Sequence, residues 1–365
     1  MWAPLRSSFP PFRAYTAHGD LLFGAFAQWD SGWFLRIAEH GYDVKQSAAF
    51  FPLYPLLVRG LAEVTRSSLV AAVLLSLSAG GAGVVVVHRL ARPLLGARGA
   101  DDSVLLYALY PVAFVFTAAY SDGLFLLLSA ASVFAATQRR AVLAGVLGGL
   151  AVATRLIGLA LLPTLIVVLW PRRRRDVWRL APLLLLPGAV AAYGWYLHSR
   201  DYGWRAALDA ESFYWQRHQH ALGPLGGLWI AARSGYDGVA ELARHLPRGL
   251  GEPAGFPRQD QWAIWNLTHF AVLVTALWLT WIAWRRLGPA FGLYSLTTLG
   301  LVLLSPADVV PLVSLPRYLI GDFPLFIALA AVCSDRPRLR AVVLFGFAML
   351  GTAAAVAFAH HVWIA

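Results

Sequence analysis

Four short stretches hold residue types able to do chemistry. The first is Trp29-Asp30-Ser31-Gly32-Trp33, followed by Arg36, Glu39, His40, Gly41 and Tyr42. A carboxylate beside a hydrophobic wall can act as general base for an incoming hydroxyl. An exposed Asp in an interfacial tryptophan belt has the same sequence, and residue chemistry leaves both readings open. Tyr120-Ser121-Asp122-Gly123 is a tight polar turn between two apolar runs, where Asp122 either caps the next helix or contacts a substrate. Thr154-Arg155 interrupts an apolar stretch. An arginine there calls for a cavity or a buried anionic partner, unless it snorkels to the interface. Pro316-Arg317-Tyr318 offers a planar fork suited to two parallel charge-assisted hydrogen bonds with phosphate; an ordinary interfacial Arg–Tyr pair is the bland alternative.

Other candidates carry less. The prolines of Phe50-Phe51-Pro52-Leu53-Tyr54-Pro55 exclude a helix interior and predict a helix start or interfacial turn. His218-Gln219-His220 is a weak metal pair, His360-His361 a polar helix end, and Asn266-Leu267-Thr268 a sequon inside an apolar run. A single cysteine, Cys333, excludes a disulfide framework and a Cys-based metal site.

The elements that must position these residues are apolar. The chain has 365 residues, 59% hydrophobic and only 13% charged, with a mean hydropathy of +0.61. So few charges cannot cover a soluble domain of this size, and the excess apolar surface must face lipid. The net charge of +11 comes almost wholly from arginine, Lys45 being the one lysine. The arginines cluster between apolar runs, a membrane pattern rather than a nucleic-acid footprint. Hydropathy predicts membrane segments at 68–92, 103–119, 121–138, 141–169, 176–198, 262–284, 288–304, 315–333 and 340–363. The long 141–169 stretch divides at Arg155 if the basic clusters Arg89/Arg92/Arg98, Arg139/Arg140, Arg172 to Arg175, Arg285/Arg286 and Arg336/Arg338/Arg340 all face the cytoplasm. The other side then holds 1–67, Tyr120–Asp122, Arg155, the loop 199–261 and 305–317. Trp170, Trp178, Trp195, Trp262 and Trp284 suit an interfacial belt. Within the large loop, residues 225–246 predict an amphipathic interfacial helix, with Leu225, Leu228, Trp229, Ala232, Val239, Leu242 and Leu246 on its apolar face.

Taken together the motifs resemble the PIG-V family of mannosyltransferases. The residues that carry the resemblance are Trp29-Asp30-Ser31 with Ile37-Ala38 and Gly41-Tyr42, then Ala49 to Pro55, Tyr110-Pro111, and Ala119-Tyr120-Ser121-Asp122. Gly148-Gly149-Leu150-Ala151 with Thr154-Arg155, Glu211 to Arg217, Arg317-Tyr318 and Phe323 to Phe326 continue it along nearly the whole chain. The family is similar in architecture to the GT-C class of membrane glycosyltransferases. The resemblance therefore implies an all-α, polytopic transmembrane bundle of about 9–10 segments, forming one membrane-embedded domain over 1–365 with an outer-side active site. The family places a membrane helix ahead of the Trp-Asp motif. Residues 1–29, with Arg6, Arg13 and Asp20, hold no apolar run of that length, so the resemblance predicts one upstream, and weak activity without it.

The implied reaction is transfer of mannose from a polyprenyl-phosphate-mannose donor to a hydroxyl of a lipid or glycan acceptor, with inversion, on the extracytoplasmic face of the cell membrane. Asp30 would be the catalytic carboxylate. Arg317, Arg155, Asp122, Tyr318 and Trp29 would contact substrate, the two arginines through the donor phosphate. Arginines can stabilise a monophosphate leaving group, so no cofactor is required, and a divalent metal stays open. The alternatives are a GT-C enzyme for another sugar and a lipid-linked-sugar transporter; the sequence shows no internal repeat and sets the acidic motif near the membrane surface rather than at its middle, which disfavours the transporter. Nucleic acid is not an expected partner.

Overall fold

A computed structural model describes residues 26–171, 173–245 and 259–359. Arg6, Arg13, Asp20, Arg172, Leu246 and His360-His361 lie outside them. Among the described residues there is no strand, only an isolated bridge between Arg217 and Ala307.

Helices α1 (Asp30–His40) and α2 (Leu53–Thr65) precede α3 (Ser68–Leu109). As predicted, the proline pair opens a helix, with Pro52 as the residue before α2. Ser67 caps α3 by accepting from the Val70 N–H at 3.3 Å. That helix folds back on itself at Gly96, which has φ 72° after Pro93. His88 Nε2 and Asp101 Oδ1 lie 3.1 Å apart, whereas a straight helix would separate residues at that spacing by about 20 Å. The returning arm ends at Leu109 because Tyr110 precedes Pro111, and a residue before proline is pushed out of the α region. The predicted span 103–119 is thus corrected. Its first half closes a hairpin, and its second half is irregular backbone around a single 3₁₀ turn, Ala113–Phe116. Protein groups bond this segment's backbone: the Ala119 N–H, for one, donates to the Phe26 carbonyl.

Next come α4 (Asp122–Thr137) and α5 (Ala141–Thr154), then an extended Arg155 (φ −154°, ψ 134°), a 3₁₀ turn Leu156–Ala160 and α6 (Leu161–Leu169). The division of 141–169 at Arg155 is therefore present. A 3₁₀ run Arg174–Leu184 leads into α7 (Leu185–Ser199), and the large loop carries α8 (Ala206–Trp215) and α9 (Pro224–His245). The chain ends with α10 (Gln259–Ile282), a π-turn Ala283–Leu287, α11 (Pro289–Leu304), α12 (Leu315–Leu319), α13 (Phe323–Ser334) and α14 (Pro337–Ala359). The predicted span 315–333 is also corrected: it breaks before Asp322, which precedes the Phe323-Pro324 start of α13 with φ −91°, ψ 68°.

Residues 68–109, 175–199, 262–287 and 337–359 are long and apolar enough to cross a membrane. The apolar helices 122–137, 141–154, 156–169, 289–304 and 323–334 are shorter. At 1.5 Å per residue these fall below the roughly 30 Å hydrocarbon thickness, so irregular segments must complete each layer.

Helix α9 differs in its face. Its buried positions are small: Ala231 is fully buried, and Cβ atoms at Gly227, Gly235 and Gly238 would meet the Leu303 carbonyl, Phe270 and the Ala263 carbonyl. Leu225, Trp229 and Val239 point away and are exposed. Small residues permit close helix approach where lipid removes the hydrophobic drive between helices. The docking face is therefore the glycine face, joined by a half-buried Leu228, with Leu225, Trp229 and Val239 of the predicted apolar face turned outward.

Candidate active site

Asp30 begins α1, and a backbone zipper fixes its place. The Ala119 N–H donates to the Phe26 carbonyl at 3.1 Å, and Tyr120 Oη donates to the Gln28 carbonyl at 3.2 Å. The segment before α1 is thereby held along the segment before α4, which brings the Trp-Asp and Tyr-Ser-Asp motifs side by side. Arg317 joins them from α12. Its Nη1 donates to Asp30 Oδ2, its Nε donates to Asp122 Oδ2 at 3.1 Å, and its guanidinium covers the Tyr120 ring at 4.2 Å. Arg155, at the break between α5 and the following 3₁₀ turn, donates from Nη1 to the other Asp122 oxygen. Four predicted residues from four separated segments thus alternate in charge, Asp30–Arg317–Asp122–Arg155, and are neutral as a set. Opposite charge is what makes arginines tolerable this deep, since an unpaired buried charge is costly.

The chain of contacts continues. Tyr318 lies between two cations, with the Arg155 guanidinium 5.2 Å and the Arg217 guanidinium 5.4 Å from its ring centroid. Arg217, just after α8, stands 3.7 Å from Glu211 and donates to the Val313 carbonyl at 2.9 Å. Burial pushes the Glu211 carboxyl above the ordinary carboxylate range, against the pull of Arg217.

These residues border a cavity of about 330 Å³. Asp30, Arg155, Arg317 and Tyr318 line it, as do Glu211, Arg217, Thr154 and Ser121. Most of the remaining wall is apolar and aromatic, including Phe50, Phe51, Trp215, Trp262 and Trp265, with Gln216, Gln219, Ser305, Asp308 and Ser314 as its other polar members. Asp122 and Trp29 do not line it. Asp122 is 1% exposed and behind the arginines. It is the first residue of α4, and its carboxylate accepts from Arg155 and Arg317. Trp29 packs against the core and adopts φ 54°, ψ −117° immediately before Asp30. Three non-glycine residues with positive φ, Trp29, Gln216 and Ser314, stand just ahead of Asp30, Arg217 and Arg317. Such backbone strain persists where the surroundings over-determine it, commonly at functional sites.

Glu211, Arg217 and Trp215 were not singled out as site residues from their chemistry; the available signal was the Glu211 to Arg217 stretch within the family resemblance. The amphipathic α9 contributes nothing to the cavity wall, whereas the short α8 lines it with Glu211 and Trp215. His218 and His220 have other partners: His218 Nδ1 is 3.0 Å from Ser212 Oγ, and His220 Nδ1 accepts from the Leu222 N–H at 3.1 Å. Among the described residues no three His, Cys, Asp or Glu side chains gather as a metal site. Asn266 lies within α10.

Three of the basic clusters stand at the far end of the bundle. Helices α4, α10 and α13 begin near the site and run away from it toward Arg139/Arg140, Arg285/Arg286 and Arg336. There Arg286 pairs with Asp335 at 3.0 Å and Arg340 with Asp102 at 2.7 Å.

Comparisons with known proteins agree with this architecture. The crystal structure of ArnT from Cupriavidus metallidurans bound to undecaprenyl phosphate superposes with a TM-score of 0.51 at 18% identity, covering 95% of this chain and 64% of that one. Its likeness shows the fold, an all-α GT-C-type membrane bundle. GPI alpha-1,6-mannosyltransferase 2 of Cricetulus griseus is 32% identical over 149 residues, 38% of this chain and 30% of that protein. The mouse protein of the same name is 32% identical over 165 residues, 41% and 34% of the two chains. The matched part thus spans about a third of the length of these curated relatives. The family described as Mannosyltransferase (PIG-V) matches residues 1–186, which takes in Asp30, Asp122 and Arg155 but stops before Glu211, Arg217 and Arg317. With half the chain matched through its most specific motifs, the protein belongs to the PIG-V mannosyltransferase family.

Proposed function

We propose that the chain transfers mannose from a polyprenyl-phosphate-mannose donor to a hydroxyl of a lipid or glycan acceptor, at the extracytoplasmic face of the membrane. One observation carries the reading: a carboxylate and two arginines from distant segments converge on the wall of an apolar, aromatic-lined cavity. A lipid-phosphate sugar needs a cation for its leaving phosphate, a base for the acceptor and a dry pocket opening on the bilayer. Asp30 is the base, taking the acceptor proton as the sugar–phosphate bond breaks. Arg317 and Arg155 stabilise the charge growing on the phosphate. Both arginines are already fixed by Asp122, so little reorganisation is needed when that charge develops. From a β-linked donor, a single in-line displacement gives an α-linked product with inversion. The basic clusters at the far end of the bundle support the orientation through the positive-inside rule.

Membranes containing the protein, incubated with radiolabelled polyprenyl-phosphate-mannose, should pass label to an acceptor. The Asp30→Asn protein should not. Label that crosses the bilayer still attached to its lipid would instead indicate a transporter, and label transferred only from another lipid-linked sugar would change the donor.

A further inference from the structure

The charge balance around the cavity is uneven. Arg155 and Arg317 are matched one for one by Asp122 and Asp30, with side chains 14%, 8%, 1% and 21% exposed. Arg217 is held differently. Its carboxylate contact, Glu211, lies 3.7 Å away, beyond hydrogen-bonding distance, and 37% of that side chain is open. The other anchors of Arg217 are uncharged: the Val313 carbonyl, the Tyr318 ring and the backbone bridge to Ala307. Burial raises the Glu211 carboxyl above its ordinary range against the pull of Arg217, so this pair is looser than the two aspartate–arginine pairs by geometry and environment alike. The cavity's least neutralised positive charge therefore sits on Arg217, across the Tyr318 ring from Arg155.

We propose that Arg217 is a further ligand of the donor phosphate, carried to the cavity by the outer segment 199–223. The proposal rests on the transfer reading above and deepens it by adding a third cation. An incoming phosphate meets Arg217 without having to displace a close ion pair, while Arg155 and Arg317 must share their charge with aspartates. The planar guanidinium, already stacked on Tyr318, presents its remaining N–H groups at little entropic cost. Glu211 competes with the phosphate for the same guanidinium, so the two members of this pair have opposite effects on the donor.

The test measures binding of undecaprenyl phosphate to the purified full-length protein in detergent, with no turnover required. Arg217→Gln should weaken binding about tenfold or more, the size of a lost charge-assisted hydrogen bond, with Arg217→Lys between it and wild type. Glu211→Gln should leave binding unchanged or tighten it. Were the Glu211–Arg217 pair merely a structural clasp, both neutral variants would weaken binding alike, and that result overturns the proposal. Wild-type affinity in Arg217→Gln overturns it as well. If the unaltered protein fails to bind polyprenyl phosphate, the transfer reading itself falls; if it binds and Arg217→Gln binds equally, only the assignment of Arg217 is lost.

Discussion

Replacing Asp122 with alanine should destabilise the protein far more than the same change at Asp30, although both aspartates pair with Arg317. Asp122 is 1% exposed and gives one oxygen to Arg155 and the other to Arg317. Removing one member of a buried ion pair costs about 3–5 kcal/mol, because the partner is left charged in a medium that cannot solvate it. Arg317 would keep Asp30, but among the described residues Arg155 pairs with no other carboxylate. The loss should therefore come mainly through Arg155, which gives a sharper test than stability alone. In the Asp122→Ala background, Arg155→Leu removes the orphaned charge and should cost less than it does in the wild type, with a coupling of about 0.5–3 kcal/mol. Asp30 is 21% exposed and pairs with one arginine, so Asp30→Ala should lower stability by a smaller amount. The assay is thermal unfolding in one detergent, followed by tryptophan fluorescence across the single and double variants. Wild-type unfolding of Asp122→Ala, or strict additivity with Arg155→Leu, would refute the clamp.

Asp30→Asn keeps shape and should lower transfer by about two to four orders of magnitude while polyprenyl-phosphate binding persists; near-normal transfer would move the base elsewhere. Gly123→Ala should reduce both stability and transfer, since a Cβ there would lie 2.5 Å from the Ser76 carbonyl and force α4, with Asp122, off α3; an unaffected variant would show that this packing yields freely. Cysteines placed at the exposed Glu39, Phe213 and Asp308 should react with an impermeant thiol reagent from outside, and those at Arg92, Arg98 and Arg338 should not. Labelling of both groups from one side would reverse the orientation.

Local signals and pairwise contacts differ in how far a sequence displays them. The break at Arg155 was legible because a charge at mid-stretch and the alternation of basic clusters demanded it, and the Pro52–Pro55 helix start followed from the missing N–H. The hairpin at Gly96 was not. Hydropathy averages across a reversal, and the irregular backbone after Tyr110 is as apolar as a helix would be. For the site, residue types singled out Asp30, Arg155, Arg317 and Tyr318, and all four line one cavity. The role of Asp122 was hidden, because a carboxylate gripped by two arginines looks like any helix-start aspartate until tertiary contacts are known. Arg217 was hidden for the opposite reason. One arginine among seven in a long polar loop carries no local mark, and only the positions of Tyr318 and Val313 give it meaning.

The same physics explains why the site doubles as a structural joint. Between helices in lipid, apolar contact adds little over lipid contact, so close approach at small residues and polar pairs supply the specificity of assembly. Gly123 on Ser76 and Gly80 on Phe116 provide the first kind, and the Asp30–Arg317–Asp122–Arg155 chain provides the second. One charged cluster thus ties α1, α4, the α5 break and α12 together while also facing the cavity. Loss of activity on mutating any member is then ambiguous by itself, because a failed joint and a failed catalyst look alike. The two separate where burial and cavity exposure diverge. Asp122, buried and turned from the cavity, should move stability and activity together. Asp30, at the cavity wall, should lose activity at nearly constant stability when changed to the isosteric Asn. That divergence, rather than the size of either effect, would distinguish a catalytic base at Asp30 from a supporting carboxylate at Asp122.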